Sequence, residues 1–385
     1  MNAALHLTLG CNLRCTYCFA GTKVDRSMTP EVAVRSLRFL AGEAKRRGGV
    51  LRVTFFGGEP LIRFDVLRAV VEEARSLPEA DIRFHMITNG TLLTDERIDY
   101  FRRNGVAYTL SLDGTPEAHD LERRTTGGRG SFDLVLKRVP KILEADPYVK
   151  VNMVVTPRNA RRIAEGVRFL HGMGFRYLDV SPDFGSEWDA AALGVLRKQY
   201  RKVADYYVEC HRHGKKITIT LLDDKIRAHA LHDGRAPGAP SACDAGEAML
   251  SIAPSGRIYP CVQSVGDDGP ADVDHAIGDV FAGIDSTRRA AFRARTAEPP
   301  EECRGCAFFS RCHNYCACAN LRATGDPGRP SAFLCEHERM VIPIADRAAE
   351  ILWRERNPLF VDRIYNRAHA VLSYVEEALE SGRRN

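Results

Sequence analysis

Short apolar runs alternate with helical periodicities along the first half of the chain. Leu5–Leu9 reads as a first strand. Thr29-Pro30-Glu31 then starts a helix, with a capping hydroxyl, proline at the first helical position and an acid beside the helix dipole. Apolar spacing through Val32, Leu37, Leu40 and Ala44 continues it. Further strands are predicted at Leu51–Phe56, Ile82–Ile87, Val106–Leu112, Val149–Val155 and Tyr177–Val180. Helices are predicted at Val66–Ala74, Glu96–Arg103, Phe132–Leu143, Ala160–His171 and from about Ala190 to His211. Strands alternating with helices imply a parallel sheet with helices outside it, and six such units suit an α/β fold built as a partial (β/α)6 barrel. Functional groups in such sheets collect at the carboxyl ends of the strands. The loops expected there carry Cys11, Gly57-Gly58-Glu59, Thr88-Asn89-Gly90 and Ser111–Asp113.

From about Lys215 the pattern changes. Gly, Pro, Asp and Cys rise, and long helical stretches are expected to vanish until about Met340. Segment 233–242 is loop-like. The predicted organisation is a barrel core over 1–225, a linker over 226–242, a small cysteine-rich domain over 243–338 and a helical segment over 339–385. Helices Met340–Leu352 and Ile364–Leu379 are expected in the last part. Residues 243–335 have too few apolar periodic segments to hold together by core burial, so bound metal is the expected staple.

Composition narrows the function classes. Of 385 residues, 44% are hydrophobic and 27% charged, as in an ordinary globular protein. The net charge of +5 is mild and the arginines are scattered, so neither nucleic acid nor membrane is an expected partner. No apolar run approaches the roughly 20 residues that span a bilayer. The first residues lack a basic export-signal region, which points to the reducing cytoplasm, where the 12 cysteines are not a disulfide framework. Three cysteines fall within the first twenty residues, Cys210 stands alone, and eight lie between Cys243 and Cys335. Their C-x-x-C and C-x-x-x-C spacings belong to metal loops.

Cys11, Cys15 and Cys18 supply three thiolates from one short loop. A [4Fe–4S] cluster normally takes four, so three leave one iron open, the mark of a catalytic rather than a structural metal. A zinc loop or buried free thiols is the alternative. The stretch Cys-Asn-Leu-Arg-Cys-Thr-Tyr-Cys-Phe resembles the radical SAM superfamily. That resemblance implies a cluster whose open iron is chelated by S-adenosylmethionine (SAM). One electron then breaks the sulfonium bond and yields a hydrogen-abstracting 5′-deoxyadenosyl radical. Gly57-Gly58-Glu59-Pro60 fits the same family: glycines allow close backbone approach, and the family's Gly-Gly-Glu places a carboxylate at the SAM ammonium. By the same resemblance Tyr17, Asn89, Ser111 and Arg123 are cofactor contacts, Ser111 at the ribose and Arg123 at the SAM carboxylate, with Arg124 as the neighbouring alternative. Solvated loop polarity is the other reading of each. An external electron donor such as flavodoxin or ferredoxin is implied as a partner.

The second cysteine field reads Cys243, Gly256-x4-Cys261, Cys303-x2-Cys306-x5-Cys312-x3-Cys316 and Cys335. The order is similar to the SPASM extension of radical SAM enzymes, which holds two auxiliary [4Fe–4S] clusters. The resemblance implies an outer cluster on Cys303, Cys306, Cys312 and Cys335, and an inner one on Cys243, Cys261 and Cys316. Some relatives have an eighth cysteine five residues beyond the usual first one; here its place is near Met249, a weak ligand at best. The inner cluster then has either an open iron or Cys318 as its fourth ligand or in place of Cys316. Cys318 as a spare thiol is a further reading, and Cys210 reads as a packed thiol. Residues 303–316 in isolation would also pass for a zinc ribbon.

SPASM enzymes mostly modify peptides or proteins, and the chain resembles peptide maturases and, less closely, anaerobic sulfatase maturases. The sulfatase branch has an aspartate base after the cysteine of the Gly-x4-Cys element, where this chain has Val262. Asp183 or Glu187 is the candidate replacement, beside a solvated or capping reading for both. The expected reaction is hydrogen abstraction from a ribosomally made precursor peptide (a RiPP), leading to a C–C or thioether cross-link or to oxidation through the auxiliary clusters. With few residues before the first strand, leader binding would fall to the barrel rim, the C-terminal helices or a separate leader-binding protein. The alternatives are a formylglycine-forming maturase, a small-molecule dehydrogenase and, in another class, a non-catalytic iron–sulfur electron carrier. A carrier needs no SAM pocket, so Gly57–Glu59 and Ser111 count against it.

Overall fold

The computed structural model describes residues 1–20, 23–231, 243–313 and 316–366. The predicted linker segment 233–242, and the predicted helix Ile364–Leu379 beyond residue 366, lie outside the described residues.

All six predicted strands form, as β1 (Asn2–Thr8), β2 (Leu51–Gly57), β3 (Ile82–Thr88), β4 (Val106–Ser111), β5 (Lys150–Val155) and β6 (Tyr177–Pro182). Each runs parallel to the next, which makes the curved sheet of a partial (β/α)6 barrel. β1 is buried along almost its whole length, as expected of a strand covered on both faces. Helices Pro30–Arg46 and Phe64–Ala74 cover it from outside through Leu37, Leu40, Val66, Leu67 and Val70. Burying side chains of this size contributes roughly 1.5–3 kcal/mol each.

The sheet continues past the six units on both sides. A short β7 (Thr218–Ile219) pairs with β6. On the other edge β8 (Met249–Ile252) pairs in parallel with β1, matching Ala3 to Leu250 and Leu5 to Ile252. Antiparallel β9 (Arg257–Tyr259), β10 (Gly278–Asp279) and β11 (Gly283–Ile284) complete an 11-stranded sheet. Gly256, at φ +91°, makes the β8–β9 turn in a conformation other residues rarely adopt. The cysteine-rich segment is therefore joined to the edge of the barrel by backbone hydrogen bonds.

Three helices depart from the sequence expectation. The stretch Phe132–Leu143 splits into Phe132–Leu136 and Val139–Ala145, because Pro140 is accommodated in the first turn of a new helix and not within a continuous one. Helix Thr220–Ala230 runs across the boundary expected at 225. Helix Ala332–Arg354 starts at the Ser331 cap, well before Met340, and runs across the boundary expected at 338. It packs against Ala190–Arg212, so Cys335 stands on a helix anchored to the barrel. No described helix is long and apolar enough to cross a membrane.

Candidate active site

The loop after β1 is gripped by polar side chains from neighbouring strand ends. Asn12 Nδ2 donates to Thr91 Oγ1 (2.7 Å), and Asn89 Nδ2 donates to Asn12 Oδ1 (3.0 Å) and approaches Cys11 Sγ (3.8 Å). The Thr16 amide donates to the Glu122 carbonyl (3.1 Å), and its hydroxyl donates to the Glu122 carboxylate. The Tyr17 hydroxyl donates to Asp113 Oδ2 (2.7 Å). The cysteines thus stand on a scaffold made of the carboxyl ends of β3 and β4 and the helix Pro116–Glu122.

Cys11, Cys15 and Cys18 line a cavity of about 610 Å³ at these strand ends. Tyr17, Gly57, Gly58, Asn89, Ser111 and Arg123 line it too. A cavity of this size suits one ligand larger than a single amino acid. Cys15 is pushed up to about 11, chiefly by burial and against the pull of Arg123. Burial raises Cys11 as well. Lys23 Nζ lies 2.8 Å from Cys18 Sγ. Metal binding must release the thiol protons of Cys11 and Cys15.

Glu59 is the exception among the expected residues, and its expected role is corrected. It is 0% exposed and does not line the cavity. Its Oε1 accepts from the Leu61 amide (3.0 Å) and Thr88 Oγ1 (2.8 Å), and its Oε2 accepts from the Asn89 amide (2.8 Å). The carboxylate ties the β2 and β3 loops together from beneath. The two glycines before it serve a close approach: a Cβ at Gly57 would strike the Thr8 carbonyl, and one at Gly58 the Gly10 carbonyl. The amides of Gly58 and Glu59 donate to those same two carbonyls, at 2.8 and 3.0 Å.

The two arginines occupy different positions. Arg124 is exposed, and its Nε donates to the Asp120 carbonyl. Arg123 is buried and lines the cavity, with Nε 2.9 Å from Asp113 Oδ2 and its guanidinium 5.3 Å from the centre of the Tyr17 ring. Burial pulls its pKa down, but the Asp113 carboxylate outweighs that and holds it charged. Asp113 is fully buried and also accepts from the Val154 amide (2.9 Å). Ser131 Oγ donates to the Arg123 carbonyl (2.8 Å) and contacts His119 Nε2 (2.9 Å), so Asp113, His119 and Ser131 together fix Arg123.

The second cysteine field gathers in two groups. Cys318 has Cys261, Cys316 and Cys243 as electrostatic neighbours, and it packs with Cys261 in one buried cluster against which Cys243 lies. Cys303 and Cys306 bear on Cys335 in the same way. Cys312 is buried just after the short helix Phe309–Arg311. Among the described residues no three His, Cys, Asp or Glu side chains converge on a single ion. A four-iron cluster takes each thiolate at a separate iron, so grouped soft donors fit it without such convergence. Cys210 lies buried on the outer helix Ala190–Arg212, 3.8 Å from His171 Nδ1.

Cys316, Val262, His313 and Arg322 line the same cavity as Cys11, Cys15 and Cys18. Asp183 lines it, accepting from Ser186 Oγ (2.7 Å) with Arg322 at 3.7 Å, whereas Glu187 is exposed and does not line it. Sequence reading missed Lys23, His313 and Arg322. The last two come from distant chain segments and carry no local signature.

Comparison with known proteins bears on this arrangement. Residues 5–187 match the Radical SAM superfamily. The cysteine-type anaerobic sulfatase-maturating enzyme of Clostridium perfringens (strain ATCC 13124) is 23% identical, over 80% of this chain and 86% of its own. The PqqA peptide cyclase of Ruegeria pomeroyi is 29% identical, over 83% of each chain. Among solved structures, native anSMEcpe with bound AdoMet and the Cp18Cys peptide superposes with a TM-score of 0.77 at 20% identity, covering 91% of this chain and 98% of that one. At that identity the likeness is one of fold.

Proposed function

From the premise that residues 5–187 belong to the Radical SAM superfamily and that the chain is an enzyme, we propose that it abstracts hydrogen from a peptide, in the maturation of a ribosomally made precursor. Cys11, Cys15 and Cys18 would hold the SAM-binding [4Fe–4S] cluster, and the second field two auxiliary clusters. Bound there and reduced, the cluster supplies the electron that cleaves SAM into the radical which takes the hydrogen.

The chain's own residues orient and shield. Arg123, fixed by Asp113 and kept charged, pairs with the SAM carboxylate. Ser111, at the end of β4, meets the ribose. Gly57 and Gly58 admit the cofactor close to backbone. Asn89 and Glu59 hold the loops that carry these groups. Phe19 stacks on Phe56 (centroids 6.1 Å apart) at the cavity wall, and with Phe184 and Leu334 excludes water from a reactive intermediate.

The observation that carries the reading is the shared cavity. Cys316 of the second field and Cys11, Cys15 and Cys18 of the first line one space, so a substrate carbon there lies between the radical source and the auxiliary group. A peptide cyclase and a peptide-bound structure among the similar proteins support a peptide substrate. The product would be a C–C or thioether cross-link, or a related oxidation. A formylglycine-forming maturase is the second reading, favoured by the sulfatase-maturating relative and by Asp183 in the cavity. Val262, an apolar side chain in that cavity, weighs against it. An acidic flavodoxin- or ferredoxin-type donor would supply the electron, a separate leader-binding protein would present the peptide, and the free thiols suit the cytoplasm.

The test is anaerobic incubation of reconstituted, reduced enzyme with SAM and a peptide encoded beside its gene. Formation of 5′-deoxyadenosine with a peptide lighter by two hydrogens is the expected result. Full iron content without SAM cleavage overturns the enzyme reading. Cleavage with conversion only of a sulfatase cysteine or serine peptide favours the second reading.

A further inference from the structure

Cys318 has no place in the seven-cysteine pattern of the second field, yet it sits inside the inner group. It is 2% exposed and lies in the first turn of helix Ala317–Thr324, which Cys316 caps. Cys261, Cys316 and Cys243 are its electrostatic neighbours. Ala245, Cys261 and Cys318 form one buried cluster, against which Cys243, Met249 and Phe292 pack. A spare thiol can be buried anywhere in a core; this one is enclosed by the three expected ligands of a single cluster. Met249 reaches the same cluster, but a neutral thioether is a poor ligand for iron–sulfur beside an available thiolate.

We propose that Cys243, Cys261, Cys316 and Cys318 form a closed four-thiolate site, so that the inner auxiliary cluster has no open iron. This rests on the reading above that the second field holds two clusters. A closed site gives the substrate no iron to ligate. The peptide must then be held by cavity side chains alone, and the inner group is left with electron exchange.

The experiment uses the full chain with Cys11, Cys15 and Cys18 all replaced by Ala, which leaves only auxiliary clusters. This parent should hold about 8 irons, four per cluster, and its reduced electron paramagnetic resonance (EPR) spectrum should not respond to added cyanide. Cys318→Ala should either lower the count toward about 4 or keep the cluster with one EPR signal shifted and newly sensitive to cyanide. Cys318→Ser, which keeps the side-chain size and guards against misfolding, should shift the same signal. Met249→Leu should change neither count nor spectrum. An unaltered, cyanide-insensitive spectrum in both Cys318 variants, a cyanide response in the parent, or loss of iron on Met249→Leu overturns the assignment of Cys318. A parent with about 4 irons or none overturns the two-cluster reading, and this site with it.

Discussion

The two cysteine fields are held by different physics. The first is a short loop gripped by barrel side chains. Glu59, Asp113 and Glu122 are each fully buried, and each joins the loop or its flanks to a different strand end. That polar scaffold is satisfied without any metal. The second field spans residues 243–335 on strands of two to four residues and short helical turns. Its ties to the barrel include β8, the helix Ala332–Arg354 and a buried ion pair. In that pair Lys225 Nζ meets Glu338 Oε2 (2.6 Å) and donates to the Arg311 carbonyl (2.9 Å). On the proposed reading, a radical site has to be geometrically ready before its cofactor binds, whereas an auxiliary site would take its shape from its cluster.

The largest expected effect separates the fields by function. Cys15→Ala should abolish 5′-deoxyadenosine formation, to background, while leaving the auxiliary irons in place. Cys335→Ala should spare SAM binding and impair product formation. Retained SAM cleavage in the first variant would erase the distinction.

Removing the clusters by chelation should separate the fields by stability. Hydrogen exchange is expected to lose protection across 243–335 and to keep it in β1–β6. Uniform loss would show that the barrel scaffold also needs metal.

Within the barrel, Asp113→Ala leaves Arg123 buried without its partner. Breaking such a pair costs about 3–5 kcal/mol. Urea unfolding should show that loss, and SAM affinity should fall with it.

A further effect on stability comes with acid. Burial lowers His6 to about 3, His85 to about 4 and His119 to about 3 from the usual 6.5. The unfolded chain therefore takes up protons below pH 6.5 that the folded barrel refuses until pH 3–4. Stability should be full above pH 6.5 and fall through that window, by up to about 1.4 kcal/mol per pH unit for each histidine. Unfolding of cluster-free protein between pH 7 and 5 should show it, and His85→Gln should flatten the slope. Arg124→Ala should change SAM affinity and stability least, by about 0.5 kcal/mol or less, since the side chain is exposed. A larger loss of affinity would reopen the choice between the two arginines.

How much was legible in the sequence differs between the regions. The barrel strands carry their period in contiguous residues, and all six form where that pattern places them. Pro140 was visible, but where the chain would restart its helix depends on the packing of Val139 and Ile142. The helix Ala332–Arg354 was underestimated because His337 and Glu338 are polar yet buried against neighbours distant in sequence. β8 was missed because a four-residue apolar run acquires its meaning only beside the open edge of β1.

Spacing alone marked Cys11, Cys15 and Cys18 as one metal loop and the second field as another, since ligands on a short loop stay close in any fold. The resemblance to the radical SAM superfamily brought Arg123 to notice, with Arg124 as the alternative. That choice depends on which side chain Asp113 and Tyr17 can reach once β4 and the helix Pro116–Glu122 are packed. Glu59 shows the converse: its motif pointed to a ligand, and burial made it a brace. Cys318 stood among alternatives in sequence and takes its place only where helix Ala317–Thr324 meets the β9 end. Local chemistry is written in neighbouring residues; which group faces the cavity is decided by contacts between segments that the chain order keeps apart.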